Sequence, residues 1–543
     1  VPPVDPPQGA PQGTLQGTVQ GSPQGATGPL GTPPGAPPEK RPEERHLESA
    51  RLGARRPELI LYDELPRLAD IKRRFHHICL VDMAHAVMLW EQGILTPEQA
   101  RALLRGLHKM AELGPERFPW DDDTGSALVQ VERFLAREVG EDLAGRLHTG
   151  RSRNDQLTAI DRLYARDQLL KIIGSTLALL DTLLNQAALH VETIMPGYTH
   201  LQHAQVWTFG FYLMRFAYAF ERDLQRLRGA YERCNMSALG GAACAGTSWP
   251  IDRERTAALL AHRGVVVNAI DAGAFARDYV DENVCVLSIY MQNMGRLASD
   301  LYIWSTYEFG MVEMDDGLCG TSSIMPQKKN PHALERVKAT AGQAVGWPAA
   351  IMGTQRSNSS TDLDLIFARD LVMNMFDDVF ACSELMRVSL ETMQVHADVM
   401  RERSAVYWST TSHLADELVR RLDVSFRTAH QIVGGFVRAA LEGGYTPHNA
   451  PVALLHDAVR RALGRDSGLT EAELREILDG EGFVRSRAST GGVQPESVRA
   501  QIDDVRSRWD EHRRWYDENR AAVEAGVAAL RARVAQAASE AGA

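Results

Sequence analysis

Three short stretches of the chain concentrate groups able to bind or move charge: "LHTGRSRNDQ" at 147–156, "GYTHLQHAQ" at 197–205 and "TSSIMPQKKNP" at 321–331. The first offers a hydroxyl, a guanidinium and an amide in succession, Ser152, Arg153 and Asn154, a set suited to gripping a carboxylate. The second carries His200, an imidazole able to give or take a proton. The third sets Lys328 and Asn330, a charge and a donor, two residues apart beyond a bend at Pro326. Each stretch reads as the entrance to a long helix, where unsatisfied N–H groups and the positive dipole end attract anions. Taken singly, such a stretch is more often a capped turn than a site. The three become a site only if folding or assembly brings them together.

The elements that must position these groups read as helices. Between Gln156 and His190, Ile160, Leu163, Leu170, Ile173, Leu177, Leu180 and Leu184 share one face, which predicts roughly 50 Å of helix at about 1.5 Å per residue. Similar patterns run at about 204–233, 277–309, 333–352 and 363–395, and alternating strand patterns are scarce. Thr96, Pro97 and Gln99 spell a capped helix start. The expectation is an all-α protein built on a bundle of long helices, which favours an oligomer because long helices seek partners along their length.

The 543 residues suffice for several cores. The reading divides them into a Pro/Gly/Gln-rich extension at 1–50, expected to be disordered, and three helical domains at 51–150, 151–400 and 401–543. A net charge of −11 disfavours capture by nucleic acid or anionic membrane, and no run of about 18 apolar residues suggests a span. Six scattered cysteines without paired spacing, and no secretory leader pattern, point to the cytoplasm. "HHIC" at 76–79 lacks a second ligand cluster, and neither HExxH nor a P-loop occurs, so no metal or cofactor is expected.

The three stretches resemble the signatures of argininosuccinate lyase and, more widely, of the aspartase/fumarase superfamily. Its third signature, commonly "GSSxMPxKxN", stands here as "TSSIMPQKKN". The resemblance implies a three-domain, all-α subunit with a central long-helix bundle and a homotetrameric helical core, each active site drawing the three stretches from different subunits. It implies β-elimination of fumarate from a succinyl group, on a small-molecule substrate that is a succinyl-amine, or fumarate plus an amine in reverse. In that scheme Ser322 is the base, Lys328 and Asn330 hold a carboxylate, and N–H groups after Ser322 complete an anion hole. His200, oriented by Glu335, serves the leaving amine. Ser152, Arg153, Asn154, Thr199 and Gln202 bind the succinyl part.

The departures from the family pattern gather on the amine side. "LGARR" at 52–56 stands for the usual "WGGRF", "AL" at 127–128 for "IH", and "SSTDLDLIFARD" at 359–370 for "YNxDxQED". "ICLVD" at 78–82 puts Asp82 where a serine is usual, and Thr321 replaces the glycine before Ser322, a change expected to restrict the loop. The expectation is a carbon–nitrogen lyase whose amine is not arginine, with Asp82, Asp362 and Asp364 as candidate partners of a cationic amine. The alternatives are a genuine argininosuccinate lyase with a drifted pocket, or an inactive structural homologue.

Overall fold

The computed structural model describes residues 56–121, 126–275, 277–355 and 368–539. The N-terminal tract and Asp362 and Asp364 lie outside the described residues. Helix α1 spans Leu68–Glu91, α2 Pro97–Arg117 and α3 Ala127–Val139. The capped start of α2 forms as read: the Thr96 hydroxyl accepts from the Gln99 N–H (3.3 Å), and the Gln99 side chain accepts from the Thr96 N–H (3.0 Å). Pro97 occupies the first turn, where its missing N–H costs nothing.

The longest bundle helix, α4, runs over Arg153–Leu189. Its 37 residues make a rod of about 55 Å. By length and composition it would pass for a membrane span, but its apolar residues pack inside the protein. A hairpin of β1 (Ile194–Thr199) and β2 (Gln202–Thr208) then reverses the chain into α5, Phe209–Cys234. Helix α5 returns antiparallel along α4, so that the Arg162 guanidinium near the start of α4 donates to the Arg233 and Cys234 carbonyls. Helix α6, Asp278–Trp304, reverses again, with Asn293 donating to Asp223 (2.7 Å) and Trp304 edge-on to Tyr212.

Four short strands follow: β3 (Val312–Glu313), β4 (Gly320–Thr321), β5 (Lys329–Asn330) and, later, β6 (Gln394–Val395). Strands β3 and β6 pair, as do β4 and β5. Between them lie α7 (His332–Ala344), a separate short helix at Trp347–Gly353, and α8 (Arg369–Thr392). Lys338 lies over the Tyr302 ring, and Gln292 donates to the Ala341 carbonyl, so α7 runs antiparallel to α6. Its N-terminus therefore lies beyond the C-terminal end of α6.

Among the described residues the apolar side chains gather in three large hydrophobic cores and a small one, in which Ile194 and Val206 of the hairpin meet Phe483, Val484 and Val493. Of the large cores, one joins α1 to α3, one fills the bundle of α4 to α8, and one unites α9 (Thr411–Leu422), α10 (Phe426–Glu442), α11 (Val452–Leu463) and α12 (Glu471–Leu478). The final helix, α13 (Pro495–Ser539), adds Val498, Val505 and Val523 to the bundle core and Leu530 and Val534 to the first. The sequence reading grouped it with α9 to α12, but its apolar residues face α2, α4 and α5. A buried ionic knot links α1, α4 and α8, since Asp161 accepts from Arg74 and Arg369. Burial pushes the Asp161 carboxyl up, but Arg369, Arg74 and Arg277 outweigh that and hold it below the usual range.

Candidate active site

Of the three polar stretches, the first and the third lead directly into helices, with Ser152 at the N-cap of α4 and Pro331 at the N-cap of α7. The Ser152 hydroxyl accepts from the Asn154 N–H (3.3 Å). Arg153 and Asn154 follow in the first turn, half-buried. Asp155 closes the capping box by accepting from the Ser152 N–H (2.7 Å). Its other oxygen accepts from the Gly240 and Ala242 N–H groups (2.7 and 3.1 Å). Burial pushes the Asp155 carboxyl up to about 6 in spite of those donors and of Arg151.

Asp82, a candidate partner of a substrate amine, already has a partner within this chain. It is fully buried, and its Oδ1 accepts from Arg151 Nη1 (2.6 Å) and from the Gln156 side chain (2.8 Å). That oxygen faces a cation of the same chain, while the buried Oδ2 has no hydrogen-bond partner among the described residues. His85 lies beside it, with Nε2 2.9 Å from the Thr149 carbonyl. Burial and Arg151 push the His85 pKa well below the ordinary value, so it stays neutral there.

The second stretch forms the tip of the β1–β2 hairpin, not a helix entrance. Thr199 pairs with Gln202, leaving His200 and Leu201 as a two-residue turn, both at positive φ (56° and 57°). Such a turn prefers Asn-Gly; imposing it on histidine and leucine stores strain of about 1–3 kcal/mol per residue. His200 and Leu201 are exposed, and the Tyr198 ring anchors the hairpin against His203 and Phe309.

The third stretch is a loop clipped at its base. Gly320 pairs with Asn330 and Thr321 with Lys329, so residues 322–328 project from a two-stranded clasp. Thr321 is not among the residues with positive φ, so it sits in this ladder without left-handed strain. The Ser322 hydroxyl oxygen accepts from the N–H groups of Ile324 (3.4 Å) and Met325 (3.2 Å). The adjacent lysines divide their work. Lys329 is held by Glu313 (2.9 Å) and Asp316 (2.6 Å), whereas the exposed Lys328 has no ion-pair partner among the described residues.

Glu335 stands in the first turn of α7, and its neighbour in the chain is His332 at 3.9 Å, not His200. Beneath the clasp, the His332 ring occupies the space that a side chain at Gly320 would fill. The hairpin and the Ser322 loop share one pole of the bundle, where Trp304 meets Tyr212 and Phe309 meets Tyr198. Ser152 lies at the opposite end of α4. The length of that helix, about 55 Å, keeps Ser152 and His200 apart within one chain.

Sequence reasoning missed the roles of Arg151, Asp155 and Gln156, although all three lie inside the quoted stretch. The spacing of Ser152 and Asp155 carried a capping-box signal, but nothing local announced the partners Asp82, Gly240 and Ala242.

Residues 67–346 match a family model described as "Lyase", and residues 408–485 match one described as "Argininosuccinate lyase C-terminal". An argininosuccinate lyase of Methanosarcina acetivorans is 37% identical over 430 residues, covering 78% of this chain and 85% of that protein. This chain belongs to the argininosuccinate lyase family. The family lies within the aspartase/fumarase superfamily and consists of carbon–nitrogen lyases that release fumarate. Argininosuccinate lyase 1 of Shouchella clausii is 33% identical over 437 residues, covering 80% of this chain and 87% of that protein. Among solved structures, an EDDS lyase in complex with formate superposes with a TM-score of 0.79 at 34% identity, covering 90% of this chain and 97% of that one. A fumarate lyase from Mesorhizobium, with a TM-score of 0.67 at 22% identity over 82% of this chain and 97% of that one, shares the fold.

Among the family departures, Leu128 turns out to be a buried residue of the first core, so there an apolar residue serves packing. Of "LGARR", only Arg56 is described, and the segment that replaces "YNxDxQED" is described only from Ala368 onward.

Proposed function

We propose that this member of the argininosuccinate lyase family catalyses reversible β-elimination of fumarate from an N-substituted aspartate other than argininosuccinate. Ser322 is the base. The observation that carries this reading is the pair of N–H groups, from Ile324 and Met325, aimed at the Ser322 oxygen. Donors in that position stabilise an alkoxide, which a serine needs before it can take a proton from carbon. The proton leaves the carbon next to a carboxylate, charge gathers on that carboxylate, and Lys328 and Asn330 meet it as it forms. The electron pair then makes the C=C bond of fumarate while the C–N bond breaks. His200, paired with Glu335, supplies the proton that the departing amine needs. Ser152, Arg153, Asn154, Thr199 and Gln202 grip the carboxylates of the succinyl part.

Because α4 separates Ser152 from His200, the reading requires neighbouring copies of the chain to build each site, in a homotetramer. A substrate other than argininosuccinate is supported by the engagement of Asp82 with Arg151, which leaves no hydroxyl at that position for the arginine part. A solved EDDS lyase is 34% identical to this chain and shares its fold, which supports a substrate other than argininosuccinate on this scaffold. The 37% identity to an argininosuccinate lyase favours argininosuccinate itself as the second reading.

The test is incubation with fumarate and a panel of amines, and in parallel with argininosuccinate, following fumarate absorbance. Consumption of fumarate with one amine class, and slow or absent cleavage of argininosuccinate, is the expected result. Cleavage of argininosuccinate at ordinary rates refutes the new-substrate part, and no turnover of any succinyl-amine refutes the lyase reading.

A further inference from the structure

Asp155 makes more hydrogen bonds than a helix cap requires. It lies in the first turn of α4 and is fully buried. One oxygen holds the Ser152 N–H, and the other holds two N–H groups from residues that arrive 85 and 87 positions later, Gly240 and Ala242. The turn so captured has an unusual backbone: Gly240 has φ 85° and Ala242, a residue with a Cβ, has φ 53°. Neighbouring backbone also closes tightly on it, leaving no room for side chains at two of its glycine contacts. A Cβ on Gly241 would lie 2.8 Å from the Ala269 carbonyl, and one on Gly273 would lie 2.5 Å from the Ala243 carbonyl. Arg253 adds ties to the Leu239, Val266 and Val267 carbonyls. From this anchored turn, Ala243, Cys244 and Ala245, then Ser248 and Trp249, stand exposed beside the start of α4.

We propose that Asp155 is a positioning residue for the carboxylate-binding pocket, and that the segment Gly240–Trp249 it anchors is a wall of that pocket. The proposal rests on the function proposed above. A single carboxylate fixes both the direction of the Ser152–Asn154 donors and the place of the segment facing them, so its loss loosens both together. Asparagine keeps the shape of the group but turns one acceptor oxygen into a donor, which then opposes an N–H on whichever side it lies. Protonation of the carboxyl does the same. The charged groups around it are Arg151, itself answered by Asp82, and Arg253. Since burial raises the Asp155 pKa to about 6, its ionised form is lost as pH falls from 7 to 5. One unit below that value only about a tenth remains ionised, which predicts roughly tenfold weaker binding of a dianion held by this pocket.

The experiment measures fumarate binding by calorimetry in the absence of amine, and steady-state kcat and KM for fumarate with the amine found to react. In Asp155→Asn, the fumarate Kd and KM are expected to rise together by about tenfold while kcat changes little, the pattern of lost ground-state binding. In the wild-type protein, fumarate Kd is expected to rise about tenfold from pH 7 to pH 5, and in the variant to stay flat. Should the variant not fold, the wild-type pH profile carries the test alone. Unchanged Kd in a folded variant, a fall in kcat with KM unchanged, or a flat wild-type profile overturns this inference. A wild-type protein that turns over amines while the variant binds fumarate normally refutes only the role of Asp155. A wild-type protein that binds no fumarate refutes the function proposed above together with it.

Discussion

Removing Asp82 distinguishes a structural cation partner from a substrate ligand. Its Oδ1 takes hydrogen bonds from Arg151 and Gln156, and the Asp82 and Arg151 side chains are 1% and 2% exposed. Asp82→Ala therefore leaves a buried guanidinium without the carboxylate it is hydrogen-bonded to, with only Asp155 among the described residues still acting on it, a change that costs about 3–5 kcal/mol. Replacing both residues, as Asp82→Ala with Arg151→Met, removes the stranded charge as well as the pair, so the double variant is expected to be more stable than Asp82→Ala alone. The four proteins of this cycle, unfolded in urea and followed by circular dichroism, give the coupling directly. A value of about 2 kcal/mol or more supports the buried pair. Additive effects refute it, and so does a stable Asp82→Ala protein whose only defect is a raised KM for the amine, since that is the signature of a substrate contact.

Other consequences are simpler to measure. Ser322→Ala is expected to lower elimination by about a thousandfold or more with assembly and melting unchanged, and near-normal turnover removes Ser322 from its role. Lys328→Met is expected to raise KM for the succinyl substrate about tenfold to a hundredfold, as loss of a charge-assisted contact of about 1.5–3 kcal/mol requires. Lys329→Met breaks exposed ion pairs worth about 0–1 kcal/mol each and is expected to change KM by less than about threefold; equal effects of the two lysines contradict their division. Leu201→Gly relieves a positive φ that leucine tolerates poorly, and is expected to stabilise the protein by about 0.5–1 kcal/mol in thermal melting, whereas a loss of stability shows that the turn is not strained.

How far the sequence could be read depended on whether a signal was local. The apolar face of α4, the Thr96 cap and the Ser152 start all arise from residues within a turn or two of each other, and each is written plainly in the chain. Boundaries set by distant contacts were not. The segment expected to begin a helix near 204 stays extended to Thr208 because it pairs with β1, and the helix expected over 333–352 breaks at Val345 and Gly346. The hairpin itself was hidden because its turn is His200-Leu201, residues that signal no turn. Within the candidate site, the types of the acting residues were legible from the family resemblance. The fate of Asp82 was not, because its partner lies 69 residues away and only folding brings the two together.

The most direct test of a site shared between copies of the chain is complementation. Ser322→Ala and Arg153→Ala proteins, each expected to be inactive alone, are unfolded together in equal amounts and refolded. If the loop and the α4 start of each site come from different copies, random mixing gives about a quarter of the sites both intact residues, and about a quarter of wild-type turnover returns. Mixed assemblies that form, as native mass spectrometry would register, yet remain inactive contradict the account.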